Sequence, residues 1–313
     1  MLAFLTRRLA AAVLLLFVIS FLSFLLLSLA HVDVARQVLG MQASPSAVNK
    51  ENAALGLNRP LLVRYGSWLA SAVRGDFGSS WFSSQDVSQE IYQRLPVTVS
   101  LVLATTLMTA VVSLALGLWA GIRRGAADRL VQILGVVGYA LPGFLVTLVI
   151  VVVFGVDLKW FPATGYTPIT QSFTGWLSTI TLPVLALSIG SVAGLSQQVR
   201  SSVAAVVAQD YMRTLRARGL PARSVVLKHV LRNACAPALT VLGLQFVGLL
   251  AGAVVVEQIF ALPGIGSMTV TDTTDGDLPV IMALVMVSVV GVVLINLAVD
   301  LLIGVLNPKA RVS

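Results

Sequence analysis

Charged residues are scarce in this chain. Only 11% of its 313 residues are charged, whereas 57% are hydrophobic, and a soluble domain usually carries about 25% charged residues. The single cysteine, Cys235, excludes an internal disulfide and a cysteine-based metal cluster, and we expect it to be a small packing residue. The composition therefore indicates an integral membrane protein rather than a soluble domain.

The sequence also lacks a nucleotide-binding loop and a catalytic cluster. A P-loop ends in Gly-Lys-Ser/Thr, because a glycine-rich turn and a lysine hold the phosphates. Here the lysines follow Asn, Leu, Leu and Pro; they are Lys50, Lys159, Lys228 and Lys309. No His, Ser/His or metal-ligand cluster is evident either. We therefore expect no catalytic, cofactor or metal site in this chain, and any ATP must be hydrolysed by another chain.

The chain contains many long apolar runs. A membrane helix needs roughly 20 consecutive apolar residues. Six runs meet or nearly meet this length: 9–30, 97–121, 130–155, 177–199, 236–256 and 279–299. The first run is longer than the apolar core of a signal peptide, about 7–15 residues, so we expect a retained anchor. The predicted fold is an all-α membrane protein with six transmembrane helices.

Ionisable residues are missing from these six runs as drawn. Proton-coupled carriers usually place such groups at membrane depth, and ion channels usually show charged rings or a carbonyl filter. Glycine and proline recur in the runs instead, which is typical of close helix packing or of helices that must bend. A proton-driven secondary carrier is the alternative function, and the absence of an obvious inverted repeat also argues against it.

The positions of Lys and Arg predict the orientation. The basic residues outside the long first loop lie mainly at the two ends, between the second and third runs, and between the fourth and fifth; examples are Arg7, Arg8, Arg123, Arg124, Arg129, Lys309 and Arg311. The loop after the fifth run carries acidic residues instead, namely Glu257, Asp272, Asp275 and Asp277. We therefore expect both termini to be cytoplasmic. The net charge of +8 follows from this topology and does not indicate nucleic-acid binding.

The predicted organisation has three parts. Residues 1–30 form the first transmembrane helix, 31–96 an extracytoplasmic segment, and 97–313 a five-helix core with a cytoplasmic loop at 200–236. Within the outer segment, Ser44, Pro45 and Gly56 are typical of a short capped helix. A second, amphipathic helix is predicted after it, to lie on the membrane surface or on outer loops; its apolar face is Leu61, Tyr65, Trp68, Leu69 and Ala72.

The loop between the fourth and fifth runs is strongly basic. Residues 210–234 read DYMRTLRARGLPARSVVLKHVLRNA, with six Lys or Arg residues against one acid, Asp210. Gly219 is expected to end one helix in the left-handed conformation, and Pro221 to begin the next. Such a helix–turn–helix can fill a groove on a partner protein through its apolar side chains; these are Tyr211, Met212, Leu215 and Leu220. The alternative is a polybasic surface held near anionic lipid.

This loop resembles the "EAA" loop of ABC importer permeases, in the form found in dipeptide and oligopeptide permeases of the B type. The matching residues are Asp210, Tyr211, Arg213, Thr214, Arg216, Ala217, Gly219, Leu220, Arg232, Asn233, Ala234 and Pro237. Leu215 stands where the family often has a small residue. The resemblance covers nearly the whole chain: RRL with the first apolar run, the outer segment ending at Arg74–Gly78, RLPVTVSL, LKWFPATGY, VVVEQIFALPGIG and LNPKAR also match.

The resemblance implies a multi-pass subunit of a bacterial inner-membrane importer that works by alternating access. Its implied partners are a second related permease, two ATPase subunits or one two-domain ATPase that hold ATP and Mg²⁺, and an extracytoplasmic substrate-binding protein. The residues implied to dock on the ATPase are Asp210, Tyr211, Met212, Arg213, Thr214, Arg216, Ala217, Arg218, Gly219 and Leu220. The substrate stays open among dipeptides, longer peptides, nickel chelates, haem and glutathione.

A second stretch is implied to lie near the outer gate and the binding-protein dock. Its matching residues are Glu257, Phe260, Pro263, Gly264 and Gly266. The alternative interpretation of PGIG is a helix cap and turn, which proline and glycine form readily. For Glu257, the alternatives to gating are a surface residue or a structural partner for a basic group.

Overall fold

The described part of the chain is helical. The structure is a computed structural model that describes residues 2–29, 34–40, 42–123 and 125–306. In these residues, the regular elements are helices and one isolated antiparallel bridge between Ser79 and Asp86. The helices are α1 (Leu2–Leu29), α2 (Val34–Leu39), α3 (Pro45–Ala54), α4 (Leu61–Ala72), α5 (Val87–Arg123), α6 (Ala126–Ala140), α7 (Gly143–Ile150), α8 (Phe173–Val207), α9 (Asp210–Ala217), α10 (Ala222–Ser224), α11 (Leu231–Ile259), α12 (Ile265–Asp275) and α13 (Leu278–Leu306). The matched tail LNPKAR and Arg124 lie almost wholly outside the described residues.

Five helical segments are long and apolar enough to cross a membrane. They are Thr6–Leu29, Val87–Arg123, Phe173–Val207, Ala222–Ile259 and Leu278–Val305. These segments confirm the predicted helices at the first, second, fourth, fifth and sixth apolar runs. Several extend well beyond the apolar run: the second begins at Val87, before its run at 97–121, and the third ends at Val207, after its run at 177–199. Helices α5, α8 and α11 also continue through Pro96, Pro183 and Pro237.

The third apolar run is not one continuous helix, so the prediction for residues 130–155 was wrong in this respect. Helix α6 ends at Ala140, α7 begins at Gly143, and the two parts of this bent pair differ in direction by 96°. The cause is Pro142, since proline disfavours the helical conformation in the residue before it. Leu141 accordingly has φ −78° and ψ 126°. The described chain has up to six spans if this bent pair counts as one.

The segment between α1 and α5 contains the predicted helices. Ser44 caps α3, and its hydroxyl oxygen accepts a hydrogen bond from the Ala47 N–H at 3.3 Å. Gly56 follows with φ +70°, a conformation that favours glycine. Both features confirm the predicted capped helix, since the cap satisfies an otherwise unpaired backbone donor.

The apolar face of α4 packs on α1. Tyr65 is buried, and its ring contacts Phe17, Phe21 and Phe24 edge-on at centroid distances of 5.2–6.0 Å. Its hydroxyl lies 2.9 Å from the Ser20 hydroxyl. The amphipathic pattern was therefore correctly predicted. Its expected location was wrong, because the face covers a helix of the same chain.

The chain divides into two compact units. One consists of Met1–Pro96 with Pro263–Val293, and the other of Val97–Leu262 with Leu294–Ser313. The first unit contains two apolar clusters, one around Tyr65 and Phe24 and the other where α5 meets α12 and α13. The members of the latter cluster are Val87, Ile91, Ile265, Met268, Val280, Ala283 and Leu284.

Asp277 connects separate segments of the first unit. Its buried carboxylate accepts hydrogen bonds from the Ser80 hydroxyl at 2.6 Å and the Trp81 N–H at 3.1 Å. Burial raises the pKa of Asp277, and these hydrogen bonds oppose that effect. The neighbouring Asp272 has its pKa raised to about 6, first by burial and then by the negative charges of Asp277 and Glu90.

The second unit is built around α8. This helix packs against α6, α7 and α11, and its approach to α5 is close. A Cβ atom added at Gly117 would lie 2.5 Å from Val199, and one added at Gly121 would lie 2.7 Å from Val203. The two glycines are four residues apart and so lie on one face of α5. Small residues allow this kind of backbone approach in lipid, where apolar burial gives helices little reason to associate.

The glycine contact predicts a position-specific loss of stability. Gly117→Ala should destabilise the protein by about 1–3 kcal/mol, because the added methyl group overpacks the contact with Val199. Gly291→Ala is the matched control, since Gly291 also lies in an apolar helix but has no atom within 4 Å of an added Cβ. Thermal unfolding of the purified variants in detergent measures the difference. Equal midpoints for both variants would contradict the close contact.

The pKa of Asp272 predicts a pH dependence. Its folded pKa of about 6 exceeds the ordinary aspartate value of 3.8, so the folded state binds the proton more tightly than the unfolded state. Stability from this group therefore increases as the pH falls from above 6 toward 4. Asp272→Asn should raise the unfolding midpoint by roughly 2 °C at pH 7.5 and by much less at pH 4.5. Thr273→Asn, at an exposed neighbour that does not titrate, should show no such pH dependence; an equal effect of Asp272→Asn at both pH values would refute the prediction.

Candidate functional site

The basic loop has the predicted helix–glycine–helix form. Helix α9 runs from Asp210 to Ala217, and Gly219 follows with φ +72°. Pro221, with φ −61°, precedes α10, and a π-helical segment, Val225–Val230, joins α10 to α11. The second helix of the loop therefore continues as one segment, Ala222–Ile259. The loop is attached directly to two long helices, α8 before it and α11 after it.

Two apolar side chains of α9 point into the chain. Met212 is 1% exposed and Leu215 is half-buried. Both pack in one apolar cluster, the loop cluster, with residues of α8, of the π-helical segment and of α11; its buried members are Leu195, Val199, Val203, Val206, Met212, Val225, Val230, Ala234 and Ala238. The expectation that Met212 and Leu215 fill a partner's groove was wrong, because these side chains fill the interior of their own chain.

The other apolar residues of the loop remain on the surface. Tyr211 and Leu220 are each 38% exposed. The Tyr211 hydroxyl accepts a hydrogen bond from the Asn233 amide at 3.3 Å, and the same amide donates to the His229 carbonyl at 2.8 Å. Tyr211 is thus held toward the second helix of the loop while much of its ring stays accessible.

The polar side of α9 is exposed. Asp210 and Arg213 are 96% and 83% exposed, and their charged atoms lie 3.8 Å apart, a distance at which an exposed pair contributes little stability. The other exposed members of the predicted docking set are Thr214, Ala217, Arg218 and Gly219. The side chain at position 216 lies outside the described part. We name the exposed residues Asp210, Tyr211, Arg213, Thr214, Ala217, Arg218, Gly219 and Leu220 the loop surface.

The predicted gate residue Glu257 is fully buried in the second unit. Its carboxylate accepts a hydrogen bond from the Thr98 hydroxyl at 2.5 Å, and its carbonyl accepts one from the Leu262 N–H at 2.8 Å. Phe260 is also buried, and its carbonyl accepts a hydrogen bond from the Gly165 N–H at 3.0 Å. The alternative interpretation of Glu257 as a surface residue is therefore wrong. One partner of its buried carboxylate is a hydroxyl group.

The remaining gate residues lie in the first unit. Pro263 is exposed, whereas Gly264 and Gly266 are buried. Gly264 directly precedes α12, and its carbonyl accepts hydrogen bonds from the Met268 N–H at 3.3 Å and the Ser267 hydroxyl at 2.8 Å. The interpretation of PGIG as a turn and helix start is thereby confirmed. A gating role for the five residues stays a prediction.

A cavity of about 1010 Å³ lies in the second unit, where the break between α6 and α7 faces α8 and α11. Its wall is mainly apolar and contains several glycines. The polar or charged side chains that line it are Tyr139, Thr147, Ser191, Gln197, Gln198, Arg200, Ser201 and Gln245. A cavity with an apolar wall and a few polar groups is typical of ligand sites, so this is the main candidate site within the described residues.

Glutamines fasten the cavity walls to one another. The Gln197 amide of α8 donates to the carbonyls of Val131 and Gln132 in α6, at 3.2 Å each. The Gln245 amide of α11 donates to the Ser191 carbonyl of α8 at 3.2 Å. Since polar groups in an apolar surrounding are costly without partners, these bonds fix which helices lie beside α8.

One ion pair was missed by the sequence analysis. The Arg200 guanidinium of α8 donates from Nε and Nη2 to the carboxylate of Asp128 in α6, with 2.8 Å for the Nη2 bond. Arg200 directly follows the fourth apolar run, which was drawn to end at residue 199. The signal was the absence of any glycine or proline between Arg200 and Gln209, which favours continuation of α8 and places Arg200 on the helix.

Comparison with known proteins adds a family match over nearly the whole chain. Residues 113–312 match the family described as the binding-protein-dependent transport system inner membrane component. Residues 1–102 match the family for the N-terminal part of such membrane components. The two matches together cover all residues except 103–112 and 313.

Three relatives are similar over almost their full length. A protein of Brucella abortus with the name of a peptide transport system permease is 38% identical over 99% of both chains. The glutathione transport system permease of Escherichia coli K12 is 36% identical over 99% of both chains. A peptide ABC transporter permease of Sinorhizobium fredii is 34% identical over 98% of this chain and 99% of its own.

A solved structure shows the same fold. An inward-facing form of the MetNI methionine ABC transporter matches with a TM-score of 0.55 at 16% identity, over 69% of this chain and 96% of the matched chain. The chain therefore belongs to the family of binding-protein-dependent transport system inner membrane components, the permeases of ABC importers, and is a multi-pass protein of the bacterial inner membrane.

Proposed function

We propose that this chain is the membrane-spanning subunit of an ATP-driven importer for peptide-like solutes, coupled to partner ATPases through the loop surface. The observation that carries the proposal is the arrangement of α9. Met212 and Leu215 anchor this helix in the loop cluster, while Tyr211 and Leu220 stay exposed at its surface. An anchored helix with exposed apolar and charged side chains suits recognition by a groove on another protein.

The proposed topology has six crossings, with the bent pair α6–α7 as the third. Both termini and the 200–236 loop are cytoplasmic, and residues 31–96 are extracytoplasmic. The excess of Lys and Arg at the termini and in the 200–236 loop supports this orientation. Under this topology the loop surface faces the compartment that contains ATP.

The proposed coupling runs through the loop cluster. ATP binding draws the ATPase subunits together, and their clefts move α9. Because Met212 packs with Val199 and Val203 of α8 and with Ala234 of α11, movement of α9 is passed to the two helices that line the cavity. The partners must bind the inward-open and outward-open states differently, since only differential binding shifts such an equilibrium.

Peptide-like solutes are the proposed substrate class. The relatives named for peptide and glutathione transport support this class. The cavity of about 1010 Å³ is at the upper end of the range for small-molecule sites, roughly 300–1,000 Å³. Its mainly apolar wall suits passage of varied side chains, with selectivity left mainly to an extracytoplasmic binding protein.

The proposed assembly contains a second related permease, two ATPases or one two-domain ATPase, and the binding protein. Glu257, Phe260, Pro263, Gly264 and Gly266 are proposed to belong to the outer gate. Affinity purification of the tagged chain in mild detergent, with mass spectrometry, tests the composition. ATPase chains and a second permease are expected; a homo-oligomer that takes up solute on a proton gradient would instead support a secondary carrier.

Charge at the loop surface should uncouple the importer. Tyr211→Glu and Leu220→Glu should reduce both ATPase co-purification and ATP-dependent uptake by at least tenfold, since an unpaired charge buried in a contact costs several kcal/mol and about 1.4 kcal/mol corresponds to tenfold. Leu62→Glu is the control, because Leu62 is 70% exposed on α4; it should retain the ATPase. If both loop variants still co-purify with the ATPase and take up solute at normal rates, the docking proposal is wrong.

A further inference from the structure

Arg200 is the charged residue of the cavity wall within the described chain. Among the described residues that line the cavity, it alone carries a formal charge, and its ion-pair partner Asp128 is not part of the lining. We propose that Arg200 forms an anion-accepting subsite, at which a carboxylate of the solute is received during passage. This inference rests on the proposed function and adds to it a group on the permease that meets the substrate.

The guanidinium retains donors for such a ligand. Arginine has five N–H donors in a fixed planar group, and Asp128 takes one from Nε and one from Nη2. Within the described chain, neither N–H of Nη1 has a hydrogen-bond partner. The side chain is 26% exposed, although it is held in an ion pair. Because Asp128 occupies the edge formed by Nε and Nη2, the two N–H groups of Nη1 are left to donate to a second carboxylate.

The charge of Asp128 is offset by other groups besides Arg200. Its carboxylate also accepts a hydrogen bond from the Gln132 amide at 3.2 Å. Asp128 lies in the first turn of α6, where the helix dipole stabilises negative charge. These interactions with α6 offset part of the negative charge of Asp128. We therefore expect the guanidinium to keep a positive potential on the side that faces the cavity.

The neighbours of Arg200 on the cavity wall are uncharged polar residues. Gln197, Gln198 and Ser201 lie within one helical turn of it on α8, and all line the cavity. The Gln198 amide and the Ser201 hydroxyl are donors beside the guanidinium that suit a carboxylate, whereas both N–H groups of the Gln197 amide are taken by α6 carbonyls. The described lining contributes no carboxylate to repel the ligand. Since Asp128 competes for the same guanidinium, the ligand is held weakly, as passage requires.

Charged thiol reagents test the potential at this wall without knowledge of the natural solute. The full transporter complex would carry Cys235→Ala and Ser201→Cys in this chain, and modification of position 201 would be followed by mass spectrometry. The probes are methanethiosulfonates bearing a sulfonate or a trimethylammonium group. Relative to the rate of each reagent with a free thiol in solution, the sulfonate should react faster. Neutralising the pair with Arg200→Gln and Asp128→Asn should lower this anion-to-cation rate ratio roughly threefold.

Two further variants separate charge from packing. Asp128→Asn alone should raise the rate ratio, because it leaves the guanidinium uncompensated, and Arg200→Lys should keep the ratio within about twofold of the parent. Ser191→Cys is the control position, since it lines the same cavity but lies nine residues, or about 13 Å, along α8. The anion-to-cation rate ratio at position 191 should be the same in the parent and in the Arg200 and Asp128 variants, because charges are largely screened beyond about 8 Å at physiological salt.

A rate ratio at position 201 that is unchanged in all these variants, or that falls equally in Arg200→Lys, would overturn the subsite. The pair would then serve only to hold α6 against α8. Uptake of trialanine and its C-terminal amide gives a second readout, with the binding protein unchanged. The neutral double variant should lower the acid-to-amide uptake ratio. Failure of the wild-type complex to show ATP-dependent uptake of either form would count against the proposed function, whereas the labelling ratios decide the subsite independently.

Discussion

Close packing around α8 is the constraint on which the rest of the second unit depends. At Gly117 and Gly121 the backbone of α5 approaches Val199 and Val203 so closely that a methyl group does not fit. Lipid offers helices little apolar driving force to associate, so shape and internal hydrogen bonds must hold them together. Gln197 supplies such bonds to α6. The same contacts that stabilise the unit thus also position the cavity walls.

Helix α8 contributes residues both to the loop cluster and to the cavity wall. Val199 and Val203 pack against α5 on one side and belong to the loop cluster with Met212 on the other. Arg200, between them in sequence, lines the cavity. In the proposed function, this shared helix is the path by which a displacement of α9 would reach the cavity wall.

Prediction from the sequence succeeded where a local rule decides the structure. Ser44 caps a helix because its hydroxyl satisfies a backbone donor, and Gly219 ends one because glycine tolerates positive φ. Prediction from the sequence failed where a single residue divides an apolar run into two helices. Pro142 splits the third run into α6 and α7, although the run is apolar throughout. The family resemblance located the loop but gave no information on which of its side chains point inward.

The sequence by itself determined the class of the protein, its apolar helices, the form of the basic loop and its family. These follow from composition and from short-range rules on caps, glycine and proline. Only the tertiary structure decided that Met212 is an internal anchor, that Glu257 is buried on Thr98, and that Arg200 meets Asp128 at a cavity wall. The reason is that these contacts join residues up to 159 positions apart, and their partners are set by how helices pack rather than by any local pattern.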